Sequence, residues 1–361
     1  MAKKILITGG AGFVGSHLNE QILKKTDWEI TTLDRFDAAG NPNRLSEMLS
    51  TTNVDRSRIR FVFWDLKAEL NEQVCKQLKG PFDYIAHLAA GSHVDRSIED
   101  PMGFFMDNCI GTVNLLNYAR DGGLVRGKNL SDVPEALGPI EGKFLYFSTD
   151  EVFGPAPFNG GFMGFKEWDR LNPNNPYAAA KAAAEMACIS HANTYRMPIV
   201  ITNTMNIFGE RQSPEKFVPL IINKVLNNEI LYIHANQDKT EAGKRHYLHA
   251  RNISAATVWV LEHGKCLDGS AKQGRYNIVG EKEVDNLTLA RLVAGYVREI
   301  RPDAQELRYE LVDFHSQRPG HDLRYALSGD LLRSEGFSYP VDFENSLRKM
   351  VEWTLANPNW L

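Results

Sequence analysis

Two short patterns in this 361-residue chain hold side chains able to move protons. Tyr177 and Lys181 stand four apart in Pro-Tyr-Ala-Ala-Ala-Lys. In a helix that spacing puts both on one face. Asn174 or Asn175 can cap such a helix, and Pro176 suits its first turn. An ammonium beside a phenol favours the phenolate, which fits Tyr177 to take a proton from an alcohol whose carbon loses a hydride. The second pattern is Ser148-Thr149-Asp150-Glu151, directly after the apolar run Phe144–Phe147. Two adjacent carboxylates at a strand end suggest an acid and a base with separated pKa values. Each pattern also has a plainer reading: an amphipathic surface pair for the first, a turn or helix cap for the second.

A third pattern favours the chemical reading. Gly9, Gly12 and Gly15, with Phe13 and Val14 among them, follow the apolar run Lys4–Thr8 and open a helix pattern reaching about Leu23. Glycines there allow a tight turn, let the backbone approach a pyrophosphate, and pack helix against strand. Asp34 ends the next apolar run, where a carboxylate accepts both ribose hydroxyls and repels a 2′-phosphate. That selects NAD over NADP, although Arg35 beside it weighs the other way. Asp65 and Leu66, after a third run, suit an adenine contact; otherwise they are a strand-end turn.

These residues need a scaffold, and the order of segments supplies one. The apolar runs Lys4–Thr8, Ile30–Leu33, Arg60–Trp64, Tyr84–Leu88 and Phe144–Phe147 alternate with helix patterns, one of them near Gly103–Arg120. Alternation implies βαβ units and a parallel sheet covered on both faces. The expected fold class is α/β, a Rossmann-type doubly wound parallel sheet with a smaller mixed α/β substrate-binding lobe. Residues 1–198 are expected to form the dinucleotide domain, with parts of 245–280 interleaved, and 199–361 mainly the smaller lobe. Ligands of such sheets bind at the carboxyl ends of the strands. Gly122–Gly142 precedes a strand and should lie away from the chemistry. Pro155–Pro173 follows one and should border it, with Phe158, Phe162, Phe165 and Trp168 forming either a lid or local packing.

Bulk properties exclude other classes. With 43% apolar and 24% charged residues the composition is that of an ordinary globular protein. A net charge of −4 gives no nucleic-acid footprint. Cys75, Cys109, Cys188 and Cys266 are scattered, so neither a disulfide framework nor a metal site is expected, and a cytoplasmic location is. No stretch approaches the roughly 18 apolar residues that span a bilayer.

At these residues the chain resembles the extended short-chain dehydrogenase/reductase family over nearly its whole length, and within it the dTDP-glucose 4,6-dehydratase group. The segments that carry the resemblance are His87–Ile98, Ser148–Gly154, Tyr177 with Lys181, Asn206–Gly209 leading to Pro214–Lys216, Arg245–Leu248, and Arg318–Asp322. The Thr-Asp-Glu triplet is the most specific of them. The resemblance implies that Tyr177, assisted by Thr149 and Lys181, deprotonates a 4-hydroxyl while NAD takes the carbon-4 hydride. Glu151 then removes the carbon-5 proton, Asp150 protonates the departing 6-hydroxyl, and the hydride returns to carbon 6. It also implies a cofactor contact at Ala89 and nucleotide-hexose contacts at Ser92, Asn206, Lys216, Arg245, Asn277 and His321. The substrate expected is dTDP-glucose, with UDP-glucose the main alternative. A homodimer is expected through helices near Phe104–Arg120 and Tyr177–Tyr195. Gly91, Gln317 and the loop Asn236–Lys244 depart from the group's pattern and flank the substrate, not the triplet. The rivals are an epimerase or decarboxylase on the same scaffold, or an NAD-binding sensor without turnover.

Overall fold

The computed structural model describes residues 2–127, 138–158, 161–270, 272–313 and 323–361. Seven strands form the central sheet: β1 (Lys4–Thr8), β2 (Glu29–Asp34), β3 (Ile59–Phe63), β4 (Tyr84–His87), β5 (Lys143–Thr149), β6 (Ile199–Thr204) and, much later in the chain, Arg275–Ile278. All neighbouring pairs are parallel. From edge to edge the order is Arg275–Ile278, β6, β5, β4, β1, β2, β3. The chain therefore winds outward from β1 to β3, then crosses back to β4 and winds the other way. Between β1 and β4 the connecting loops leave in opposite directions, which opens a crevice at their carboxyl ends.

Successive side chains of a strand point to opposite faces, so both faces need apolar cover. Ile5, Ile7, Leu145 and Val200 join one buried cluster with Leu18, Ile22, Ile253 and Val260. These last four belong to the helices Phe13–Lys25 and Ala250–His263. Leu6, Ile85, Phe144, Tyr146 and Ile201 join the opposite cluster with Leu115, Leu116, Ala184 and Cys188. A third core of Phe208, Val218, Ile222, Leu289, Val293 and Leu347 holds the later segments together. There β7 (Asn206–Phe208) runs parallel to β9 (Lys244–His249), which pairs antiparallel with Glu283–Asp285. The strand β8 (Ile230–Ala235) pairs in parallel with Arg308–Asp313.

The helix expected near Gly103–Arg120 is not uniform. Pro101–Phe105 and Gly111–Tyr118 are α-helical, but Met106–Ile110 between them is a wider π turn. On the described flanks of the 122–142 segment, Leu124 bridges to Phe82 and Arg126 to Ile140. Both lie near the starts of β4 and β5, at the end of the sheet away from the glycine loop. Among the described residues, no helix is long and apolar enough to cross a membrane.

Candidate active site

The glycine loop fits a dinucleotide for steric reasons. Gly9 has φ of +72°, and a Cβ there would lie 2.6 Å from the Ala89 backbone nitrogen. A Cβ on Gly15 would lie 2.2 Å from the Gly9 oxygen. The loops after β1 and β4 thus touch, and only glycine lets them. Gly12 begins the helix Phe13–Lys25 with no side-chain cap, which leaves its first N–H groups to a ligand. Asp34 is buried at the end of β2, accepting hydrogen bonds from Ala11 N (2.9 Å) and Phe36 N (3.0 Å). Burial pushes its carboxyl up, against those two donors. Leu66 is buried, and its carbonyl accepts from Asn114 at 2.8 Å. The Asp65 carboxylate accepts from Lys67 N at 3.0 Å.

The acidic triplet occupies the carboxyl end of β5, where the chain turns into a short 3₁₀ segment, Asp150–Phe153. Thr149 caps that turn at 3.4 Å from Glu151 N and donates to Asp150 Oδ1 at 3.0 Å. The plainer cap reading is therefore also true, but it does not exhaust the residues. Asp150 is buried, and its other oxygen, Oδ2, has no hydrogen-bond partner. Burial, then the charge of Glu151, pushes its pKa up to about 7, against the Thr149 bond and Arg245. Glu151 meets different surroundings: Asn175 Nδ2 donates to its Oε2 at 2.8 Å and the Tyr325 hydroxyl at 3.4 Å.

Asn175 caps the helix Pro176–Tyr195 through Ala178 N (2.8 Å), and Pro176 takes its first position. This brings Tyr177 to the triplet, where a hydrogen bond with Thr149 links the two. Ser97 Oγ accepts from the Tyr177 backbone N–H at 3.1 Å and fixes the start of the helix. The expected effect of Lys181 on the phenol is not what the structure shows. Burial and then the charge of Glu151 push Tyr177 well above its usual range, with the Thr149 bond opposing. Lys181 sends its ammonium to the Phe147 carbonyl oxygen (2.6 Å) and across the Tyr146 ring (4.2 Å to its centre). Its own pKa falls to about 8 through burial, opposed by Glu185.

The substrate residues expected from the sequence divide. Arg245 is buried on β9, donating to the carbonyls of Lys244 and Leu323 (both 2.7 Å), with its guanidinium 4.5 Å from the centre of the Tyr325 ring. It thus shares Tyr325 with Glu151. Asn206 is exposed on the neighbouring β7, and Ser92 is exposed in the loop after β4. Lys216 precedes the helix Phe217–Leu226, and its neighbour Glu215 approaches His93 at 3.8 Å and Arg96 at 3.2 Å. Those contacts link the segment after β4 to the segment that leads into the helix Phe217–Leu226. Asn277 must be corrected: it is fully buried in the edge strand, with its amide donating to the Phe165 and Ser328 carbonyls (2.9 and 3.1 Å). It staples the 155–173 segment instead of facing a nucleoside. His321 and Gln317 lie outside the described residues.

The 155–173 segment borders the site as expected, and its aromatics mainly pack. Phe165 stacks on Phe153 (5.6 Å) and meets Phe162 edge-on (4.9 Å), while Lys244 covers Phe158 and Trp168 stays partly exposed. Sequence reasoning missed Tyr325, Ser97 and the amide of Asn175 as partners of the catalytic groups. It also missed Asn203, which donates to Thr149 O (3.2 Å) and Glu185 (2.8 Å). Asn175 carried a signal as a cap candidate, and Ser97 lies within the segment His87–Ile98 that carries the resemblance.

A family model described as GDP-mannose 4,6 dehydratase matches residues 6–350. The dTDP-glucose 4,6-dehydratase of Salmonella typhimurium is 34% identical, covering 99% of this chain and 94% of that protein. That of Neisseria gonorrhoeae is 35% identical, covering 98% and 96%. A solved structure of a Streptomyces venezuelae dTDP-glucose 4,6-dehydratase double mutant with NAD bound is similar at a TM-score of 0.79 and 30% identity. It covers 99% of this chain and 98% of that one.

Proposed function

This chain belongs to the GDP-mannose 4,6 dehydratase family, and from that premise we infer that it is an NAD-dependent nucleotide-sugar 4,6-dehydratase whose substrate is dTDP-glucose. The observation that carries the reading is the buried Asp150 beside Glu151, an acid whose pKa is raised to about 7 next to a carboxylate aimed by two donors. Oxidation of one hydroxyl needs, besides NAD as hydride acceptor, only the tyrosine as an acid–base group. Elimination of water needs a base and an acid as well, and the triplet holds both.

NAD, which the glycine loop and Asp34 would hold, would supply the acceptor for the carbon-4 hydride and the donor of that hydride to carbon 6. Tyr177, linked to Thr149, takes the 4-hydroxyl proton as the phenolate, a form that burial alone disfavours and the positive charge of oxidised nicotinamide would favour. Lys181 stands one helical turn away and places a positive charge beneath the site. The new ketone acidifies carbon 5, whose proton passes to Glu151, held in place by Asn175 and Tyr325. Asp150 gives its proton to the leaving 6-hydroxyl, which departs as water. The Glu151 proton then returns to carbon 5, and the proton taken up by Tyr177 replaces the one Asp150 gave to the departing water, which resets both groups. Arg245, with its planar fork, suits the diphosphate, and Asn206 stands on the adjacent strand.

Incubation of the purified protein with dTDP-, UDP-, GDP- and CDP-glucose tests this reading. A 4-keto-6-deoxy product is expected, formed most efficiently from dTDP-glucose. UDP-glucose used as well or better would overturn the substrate; an inverted hydroxyl or a pentose would overturn the reaction. The reading includes a cytoplasmic location, which four free cysteines suit. It also includes a homodimer. In its support, Ile98, Met102, Phe105, Met106 and Ile110 are exposed along 94–110, and Met186 is exposed on the helix Pro176–Tyr195. A monomeric mass by light scattering at micromolar concentration would refute the dimer.

A further inference from the structure

The far end of the cofactor crevice carries more charge than ribose recognition requires. Beyond Asp34 stand Arg35, Asp37, Asp65, Lys67 and Asp107. Arg35 Nε donates to Asp37 Oδ2 at 2.6 Å, while Nη1 and Nη2 donate to the two oxygens of Asp107 at 2.7 and 3.0 Å. Asp65 approaches Nη1 at 3.8 Å, and Lys67 lies 3.4 Å from Asp65 and 3.8 Å from Asp107. Two cations thus face the carboxylates of Asp37, Asp65 and Asp107. Asp107 reaches this cluster from the π turn Met106–Ile110, the wide turn inside an otherwise α-helical stretch. Turns of this kind recur at functional sites.

An arginine directly after the ribose-binding acid should favour NADP, because its fork can grip a 2′-phosphate in two parallel hydrogen bonds. Here the same fork already grips a carboxylate in that geometry. We propose that Asp107, seconded by Asp37, sets the cofactor specificity of this chain by occupying the Arg35 fork and withholding it from a 2′-phosphate. A 2′-phosphate would have to displace a two-point ion pair and then sit among the released carboxylates. NAD, with a hydroxyl there, needs neither. The proposal rests on the reading of the crevice as a dinucleotide site.

Equilibrium dialysis of the full-length protein against mixtures of NAD and NADP, with the bound dinucleotides quantified by chromatography, gives the ratio of the two affinities directly. The set is wild type, Asp107→Asn, Arg35→Ala and the double variant. Asp107→Asn is expected to shift the ratio towards NADP by about tenfold or more, the effect of one charge-assisted hydrogen bond gained. The double variant is expected to lose that gain, because it comes from Arg35. A ratio within about twofold of wild type for Asp107→Asn would overturn the proposal. So would a gain that persists without Arg35, since removal of a negative charge alone would then explain it. Should Asp107→Asn not fold, Asp37→Asn frees Nε and is read by the same ratio. Wild type that binds neither dinucleotide would instead sink the cofactor reading itself.

Discussion

Replacing Asp150 by asparagine should cost the enzyme its reaction and stabilise its fold, the second effect growing with pH. In the native chain Asp150 is buried with its pKa raised from 3.8 to about 7. Below pH 3.8 the native and unfolded chains both hold the proton, and the shift has no effect on stability. As pH rises from 3.8 towards 7, the unfolded chain releases the proton and the native chain keeps it. Stability therefore falls across that window and levels off above it. A displacement of that size corresponds to about 4 kcal/mol. With roughly 2 cal/mol/K of unfolding entropy per residue, a chain of this length changes Tm by about 1.3 °C per kcal/mol, so the whole effect is about 5 °C. Asparagine has no such proton, but its amide would occupy the position of the unpartnered Oδ2 and cost about 1–3 kcal/mol at every pH. That cost shifts the baseline and leaves the slope. The assay is Tm for wild type and Asp150→Asn at fixed protein concentration from pH 4 to pH 8, without substrate. The variant should gain on wild type by several degrees as pH rises, while dTDP-glucose yields about 100- to 10,000-fold less 6-deoxy product per unit time. A Tm difference that does not change with pH would refute the assignment of a retained proton to Asp150.

Glu151→Gln should still oxidise the sugar and accumulate the reduced-nicotinamide absorbance, without deuterium uptake at carbon 5 in heavy water; uptake at the wild-type rate would remove Glu151 as the base. Tyr177→Phe should lower the rate of that absorbance rise about 100- to 10,000-fold in a single turnover, and unchanged oxidation would remove the tyrosine. Asn175→Ala should slow carbon-5 exchange more than oxidation by releasing Glu151, and also lose a helix cap worth about 1 kcal/mol; equal slowing of both steps would mean that only the cap matters.

The sheet was legible because its signals are local. Lys4–Thr8, Tyr84–Leu88 and Phe144–Phe147 are short apolar runs between helix patterns, and a strand buried on both faces can have no other composition. The glycine loop was legible for the same reason, since the turn and the helix start lie within a few residues. Tyr177 and Lys181 show where such reasoning stops. Their spacing fixes a shared face, but not that the ammonium would turn to the Phe147 carbonyl. Asn277 was misplaced because nothing near it in sequence reveals that Phe165 and Ser328, more than 50 residues away on either side, present their carbonyls to it. The π turn at Met106–Ile110 likewise has no local mark: its neighbours read as one helix, and the extra residue is visible only in the backbone.

The division of labour between Asp150 and Glu151 is the most instructive case, because the two are adjacent and carry the same functional group. Chain order cannot distinguish them; the turn does. After β5 the chain bends into a 3₁₀ segment, so consecutive side chains diverge and meet different neighbours. Asp150 enters the interior, where one oxygen accepts from Thr149 and the other from nothing, and there a carboxyl is better neutral. Glu151 meets the Asn175 amide from the cap of the tyrosine helix and the Tyr325 hydroxyl from near the chain's end, donors that suit a charged carboxylate and hence a base. Each donor has a second connection: Asn175 holds the helix that delivers Tyr177, and Tyr325 lies against Arg245. Glu151 is thus positioned by the same two side chains that tie it to Tyr177 and to Arg245. On the proposed mechanism, a substrate that moves either element would shift Glu151 with it and so couple nucleotide binding to elimination through the Asn175 and Tyr325 contacts.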